Sequence, residues 1–369
     1  MEHAFGRGAA FQLGMEEELL LIEPDTHALA PVSSRLLPGL NPPAGTVMHD
    51  VYEALVECAS PVSPDAIEGA RSLEALRTHL REAGATLVGA GIHPDGAFGD
   101  APHVEDPRYR EIGGQMRGLL RRTPTCALHV HVGMPDPESA ILACNRMRAH
   151  LPVLQALAAH SPFWHGRDSG FQTARAQLFR GYPRADIPRA FEGWEDYAAT
   201  MAQIVAAAEV EDYTFLWWDI RPHPNLGTLE LRAMDGQARI GAVCGLSALV
   251  HGLVLAALED PPVDPLPPRE VLVEASYRAG RDGLQATVWD GAGMRPVREL
   301  AAAAIERARP HARDLGADGA LGEVERILRE GNGADRMRAA HEAGGMPAVL
   351  ERLVAETAEP LETTSGAGA

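Results

Sequence analysis

The run Phe11–Ile22, FQLGMEEELLLI, sets three carboxylates inside a stretch that otherwise reads as a buried strand. Residues two apart along a strand share a face. Glu16 and Glu18 therefore project together, while Glu17 points the other way beside Leu13, Met15, Leu19 and Leu21. Neighbouring carboxylates on a half-buried surface repel one another and lose hydration, which is costly unless a cation compensates. The economical reading is a divalent-metal site. The alternative is an edge strand whose glutamates guard against aggregation.

The same device recurs. In Cys126–Gly133, CALHVHVG, His129 and His131 share one face and Leu128, Val130 and Val132 form the other. Two histidines so spaced can bind zinc or hydrogen-bond to phosphate and carboxylate oxygens. In GTLELR, residues 227–232, Thr228, Glu230 and Arg232 oppose Leu229 and Leu231; Glu230 and Arg232 also read as a structural ion pair. Upstream, Asp219 and Arg221 share a face of WWDIRP. Three strands with ionisable faces and aliphatic backs would line an active-site funnel, with helices packed behind. Glu53 and Glu57 are further carboxylates available to a metal cluster. The aromatic, turn-rich segment 161–171, followed by Arg175 and Arg180, reads either as a lid or binding loop or as a surface loop pinned by Phe163 and Trp164. Arg278 and Arg281 lie in a helical-looking stretch and, taken alone, read as surface residues.

With 369 residues and a formal charge of −18, the chain can build a substantial core and is unsuited to a nucleic acid or an anionic membrane surface. All 33 basic residues are arginine. That excludes Schiff-base catalysis and a P-loop lysine, and leaves phosphate to arginine, backbone N–H groups or metal. Cys58, Cys126, Cys144 and Cys244 have no zinc-type spacing and read as reduced core residues of a cytoplasmic protein. The start lacks a basic stretch followed by an apolar run, so no signal peptide is expected. The apolar segment 240–258 contains three glycines, Ser247 and His251, and reads as a buried helix rather than a membrane span.

Strands are expected at 11–22, around 51–59, and at 86–91, 127–133, 216–221 and 227–233. Helices are expected at 64–83, 137–149, 194–208, 240–258, 297–315, 321–329, 334–343 and 347–357. Asp136 is the N-cap of the second helix, with Pro137 at its first position. Strands and helices do not alternate, so the fold class is α+β. No GxGxxG follows a predicted strand. The Pro-rich stretch 260–268 is a linker candidate ahead of a mostly helical region, about 268–358, within one catalytic domain spanning 1–358. Residues 359–369 read as a disordered tail.

Five ordered segments, GMEEELLLIEP, LHVHVGMPD, SPFWHGRDSGFQTARAQLF, WWDIRPHPNLGTLELRAMD and GADRMRAAHEAG, resemble the bacterial carboxylate–amine ligases, also called glutamate–cysteine ligase type 2. The resemblance spans 11–357. It implies a glutamine synthetase-like fold, an antiparallel sheet lining an ATP site, in which Glu16/Glu18, His129/His131 and Glu230/Arg232 stand at the Glu-x-Glu, His-x-His and Glu-x-Arg positions. It implies ATP-dependent joining of the γ-carboxylate of glutamate to the amine of cysteine through an acyl phosphate. Glu16, Glu18, Glu57 and Glu230 would then ligate Mg²⁺. Arg232 and Arg221 would hold the transferring phosphoryl group, and His129 and His131 would position phosphate or substrate. Arg175, Arg180 and His131 would bind substrate, and Glu16, Glu18, Arg232, Arg278 and Arg281 the nucleotide complex. The chain departs from the family where Ala275 and Tyr277 replace an Asn and a Trp beside Arg278 and Arg281. A homodimer is the expected assembly. Replacing Glu16 or Glu230 by Gln is expected to leave the fold intact. A zinc hydrolase using His129 and His131, or a ligase for another acid and amine, are the rival readings.

Overall fold

The structure is a computed structural model in which residues 1–261 and 265–362 are described. Its centre is a seven-stranded sheet formed by β1 (Leu13–Ile22), β2 (Thr46–His49), β3 (Leu55–Ala59), β4 (Thr86–Val88), β5 (Ala127–Gly133), β8 (Ile220–His223) and β9 (Thr228–Asp235). The two-residue strands β6 (Phe163–Trp164) and β7 (Arg167–Asp168) form a separate hairpin. The order is β2-β3-β1-β5-β9-β8, with β4 beside the far end of β1, and the paired strands run antiparallel. β1, in the middle, carries the three-glutamate run.

The helices are α1 (Ser33–Leu36), α2 (Ala66–Glu82), α3 (Pro107–Met116), α4 (Pro137–Met147), α5 (Leu151–Leu157), α6 (Ala174–Phe179), α7 (Trp194–Ala208), α8 (Ile240–Glu259), α9 (Arg269–Asp282), α10 (Val297–Asp314), α11 (Leu321–Glu330) and α12 (Gly333–Ala358). Their starts follow capping chemistry. The Asp65 carboxylate accepts from Ile67 N and Glu68 N, and Asp136 from Ser139 N, with Pro137 opening α4. The two helices expected at 334–343 and 347–357 form one element broken at Gly344–Gly345, where the backbone leaves helical geometry. The strand expected around 51–59 is instead the hairpin β2–β3, because a turn at 50–54 reverses the chain.

The aliphatic back of the sheet (Leu13, Met15, Leu19, Leu21, Leu128, Val130, Leu229, Leu231) shares one core with Leu73 and Leu76 of α2 and with α8, which in turn packs on α10 and α11. α8 is long and apolar enough to cross a membrane, but 89% of its apolar window is buried inside the protein, as the sequence reading expected. Its one histidine donates from Nε2 to Phe11 O at 2.7 Å. All four cysteines are buried and unpaired. Glu359 lies 3.8 Å from Arg239, and Leu361 N donates to Glu74 on α2. The rest of the expected tail, 363–369, and residues 262–264 of the linker candidate lie outside the described residues.

Candidate active site

The face of the sheet opposite α2 and α8 carries the chemistry, and strand register assembles it. Glu16 lies opposite His129, Glu18 opposite Glu57, His131 opposite Glu230, and Glu230 opposite Arg221. Between β5 and β9 the register shifts, so that Leu128 faces Met234 while Val130 faces Leu231. This bulge gives β9 an extra residue at Arg232–Ala233 and turns Arg232 Nη1 to within 3.5 Å of His129 Nδ1.

Two triads result. One ligand atom each from Glu16, His129 and Glu230 lie within 4.8 Å of one another, and so do atoms of Glu18, Asp50 and Glu57. The first is already balanced by charge. Glu230 is 1% exposed and receives Arg221 Nε at 2.5 Å and Arg232 Nη1. Burial would raise its pKa, but Arg221, Arg232 and His131 hold it well below the ordinary carboxylate value. Burial pushes Glu16 up too, and His131 and His129 outweigh it. His129 Nδ1 lies 3.3 Å from Glu16 Oε2 and its Nε2 3.8 Å from Glu18 Oε1.

The second triad is not balanced. Burial, then the Asp50 charge, push Glu18 up to about 8. Asp50 is pushed up by burial to about 6, and burial with Glu16, Glu18 and Asp50 drives Glu57 well above its ordinary value. Three carboxyl groups that resist ionising together, on a face whose buried His129 Nε2, His131 Nε2, Arg175 Nε and Arg232 Nε have no hydrogen-bond partner among the described residues, fit a divalent cation and an anionic ligand.

Two cavities flank the triads. One, about 410 Å³, is bounded by Glu16, His131 and Thr228 and by the glycine-rich start of the chain, including Gly6, Gly8 and Ala9. That segment is anchored on the sheet through Gly6 N to Met134 O and Phe11 N to Gly133 O. At the β8–β9 turn Gly227 has φ +68°, and a Cβ there would lie 2.6 Å from Ala4 O. The other cavity, about 210 Å³, has Glu18, Asp50, Glu57, Arg175 and Arg232 on one side and Tyr109, Ile112 and Met116 of α3 on another.

The sequence-predicted residues separate accordingly. Glu16, Glu18, Glu57, Glu230, His129, His131, Arg232 and Arg175 gather here. Arg175 donates to Arg232 O at 3.3 Å and its Nη1 is 3.7 Å from Asp235. Arg221 is present, but its guanidinium is 5% exposed and engaged by Glu230 and by Leu216 O at 2.6 Å, so it props Glu230 rather than reaching for a phosphoryl group. Arg180 lies at the margin, donating to Val273 O and facing Asp186. Arg278 and Arg281 are not brought to this face. On α9, Arg278 is half-buried and Arg281 exposed, paired with Glu274 and Asp282 on their own helix. The departures beside them are equally remote: Ala275 is buried against Ala156 and Val288, and Tyr277 meets Phe171 edge-on. Asp50, a ligand candidate not anticipated, follows β2 on the face that Met48 shares with Glu57. Its signal was an acid at a hairpin mouth, legible only once the hairpin is known.

Acidic triads with arginines between them, on one face of an antiparallel sheet, equip a protein to handle a metal–nucleotide complex, and the chain is an ATP-dependent carbon–nitrogen ligase. The family model "Glutamate-cysteine ligase family 2" matches residues 12–356, and the chain belongs to that family. It is 39% identical over 367 residues to the Rubrobacter xylanophilus protein named "Putative glutamate--cysteine ligase 2-3", covering 97% of this chain and 100% of that one. It is 37% identical over 291 residues to a glutamate–cysteine ligase of Halobacterium salinarum, covering 74% of this chain and 80% of that one. The crystal structure of a glutamate–cysteine ligase from Francisella tularensis in complex with AMP superposes with a TM-score of 0.74 at 11% identity, covering 95% of this chain and 90% of that one, a likeness of fold.

Proposed function

We propose that the chain joins the γ-carboxylate of L-glutamate to the amine of L-cysteine, with ATP converted to ADP and phosphate. The observation that carries this is the pair of triads on β1, one balanced by arginine and one left with three mutually repelling carboxyls. Glu16, His129 and Glu230 would hold one Mg²⁺, and Glu18, Asp50 and Glu57 a second. Bound there, the ions neutralise the triphosphate and the charge that develops during transfer.

The larger cavity, bounded by backbone and glycine, suits the nucleotide, whose phosphates need close approach to N–H groups. The smaller, with Arg175 beside the acidic triad, suits the amino acids, Arg175 meeting a substrate carboxylate. Arg232 lines the smaller cavity beside Glu18 and would face the transferring phosphoryl group. A γ-carboxylate oxygen attacks the γ-phosphorus, ADP leaves, and the amine nitrogen then displaces phosphate from the acyl carbon while losing a proton. No covalent link to the chain is needed, because the acyl phosphate is already activated.

Residues 1–358 act in this reading as one catalytic unit, assembled as a homodimer in the cytoplasm, where ATP and reduced cysteine are found. A zinc hydrolase is disfavoured, since His129 converges with two carboxylates, and the third histidine nearby, His223, has its Nδ1 engaged by the Tyr213 hydroxyl and Leu226 N. The test is phosphate release from ATP with Mg²⁺, glutamate and a panel of amines. Release that requires both glutamate and cysteine supports the assignment. Release with glutamate and a different amine keeps the ligase and replaces the acceptor, and absence of ATP binding refutes the reading.

A further inference from the structure

Glu17, the middle carboxylate of the run, points away from the site and is 1% exposed. It is held in a fork: Arg77 Nε donates to Oε1 at 2.8 Å and Nη2 to Oε2 at 2.6 Å. The same guanidinium, from α2 and also 1% exposed, donates to Gln237 O at 2.9 Å, to Ala238 O and to Thr357 O. Gln237 and Ala238 directly follow β9, which carries Glu230 and Arg232. Thr357 lies in the last turn of α12, and its hydroxyl accepts from Gly89 N at 3.0 Å, just past β4. One buried cation thus joins β1, β9, α2 and α12.

Stability alone does not call for this arrangement, because a buried ion pair replaced by apolar residues of similar volume is often neutral or stabilising. Register does. The back of β1 reads Leu13, Met15, Glu17, Leu19, Leu21, so a slip by two residues would exchange one apolar side chain for another almost without penalty. The same slip would carry Glu16 and Glu18 past His129 and Glu57 and dissolve both triads. On the back of β1 only Glu17 distinguishes the two registers, since in one alone does it meet Arg77; on the front the buried Leu20 and Ile22 add to the choice. We propose that Arg77 and Glu17 are positioning residues that fix the register of β1 and so set Glu16 and Glu18 as metal ligands. The inference rests on the divalent-metal reading of the two triads.

The test is Mn²⁺ binding by isothermal titration to the full chain, with melting temperature measured in parallel, for wild type, Arg77→Lys and the double variant Glu17→Met/Arg77→Met. The double variant is expected to fold with a melting temperature near wild type while its Mn²⁺ Kd rises at least about tenfold. Arg77→Lys is expected to raise Kd several-fold, because an ammonium cannot hold both carboxylate oxygens and the three carbonyls together. Either variant, if folded and binding Mn²⁺ with the wild-type Kd, overturns the positioning role. If the double variant does not fold, Arg77→Lys decides by the same criterion. Wild type that binds no Mn²⁺ overturns the metal reading, and this inference with it.

Discussion

Glu18→Gln should make the metal-free protein more stable and blunt the stabilisation that a bound metal adds. Burial and Asp50 raise the Glu18 carboxyl from 4.5 to about 8. A group whose folded pKa lies above its unfolded value destabilises the fold as pH climbs between the two. The penalty is absent near pH 4.5, grows through neutrality and levels off above about 8. Taken at face value, that displacement corresponds to about 5 kcal/mol at high pH. A Coulomb check gives a similar scale: two ionised carboxylates with atoms within 4.8 Å repel by about 3 kcal/mol at an effective dielectric of 20. Glutamine removes the charge and keeps an acceptor for Ala127 N, which donates to Glu18 Oε2 at 2.7 Å. The variant should therefore gain about 3–5 kcal/mol at pH 8.5 without metal, a rise of roughly 4–6 °C in Tm, and almost nothing at pH 5. Saturating Mg²⁺ should narrow the gap, since a ligand at 100 times its Kd adds about 2.7 kcal/mol to wild type and less to the variant. Calorimetric melts at the two pH values, with and without Mg²⁺, measure all four cases. A variant no more stable than wild type at pH 8.5 without metal, or equally stabilised at both pH values, would refute the argument.

Glu230→Gln should lower stability by at least about 3 kcal/mol in urea unfolding, because it leaves Arg221 and Arg232 buried without their carboxylate. This reverses the expectation drawn from crowding alone. Glu16→Gln should also lower Tm at neutral pH, because, against burial, His131 and His129 hold the Glu16 carboxyl well below its ordinary value, and the loss should fade as pH falls below the ordinary carboxylate range. Arg232→Ala should lower kcat for ATP-dependent phosphate release by about 10²-fold or more, as loss of a donor to transition-state charge does. A loss confined to Tm would make Arg232 a structural partner of Glu230 only. Arg278→Ala/Arg281→Ala should change neither turnover nor stability by more than about 0.5 kcal/mol, since both pairs lie on the exposed face of α9.

Period-two alternation made much of the site legible before any coordinates. It put Glu16 with Glu18, His129 with His131 and Glu230 with Arg232, and it turned Glu17 away. What alternation cannot carry is pairing between strands. Asp50 joined the acidic triad only through the β2–β3 hairpin, and Arg77 met Glu17 across 60 residues of chain. The bulge that re-aims Arg232 is likewise a property of two strands together. Arg278 and Arg281 were assigned to the nucleotide by motif resemblance, and resemblance carries no information on which way a helix faces. One omission was local. Asp106-Pro107 opens α3 with the same cap-and-proline signature as Asp136-Pro137, and it went unread although α3 walls the smaller cavity.

The burial of all four thiols separates this protein's own sulfur chemistry from that of the thiol substrate proposed above. Cys58, Cys126 and Cys144 are inaccessible in the folded state, and burial raises each of their pKa values, so the thiolate that would exchange with a disulfide is scarce. Small oxidised thiols would leave Cys58, Cys126 and Cys144 of the folded chain unmodified. The rate at which an alkylating reagent consumes these cysteines therefore reports how often the molecule opens, giving a clock for its unfolding that needs no knowledge of its substrates.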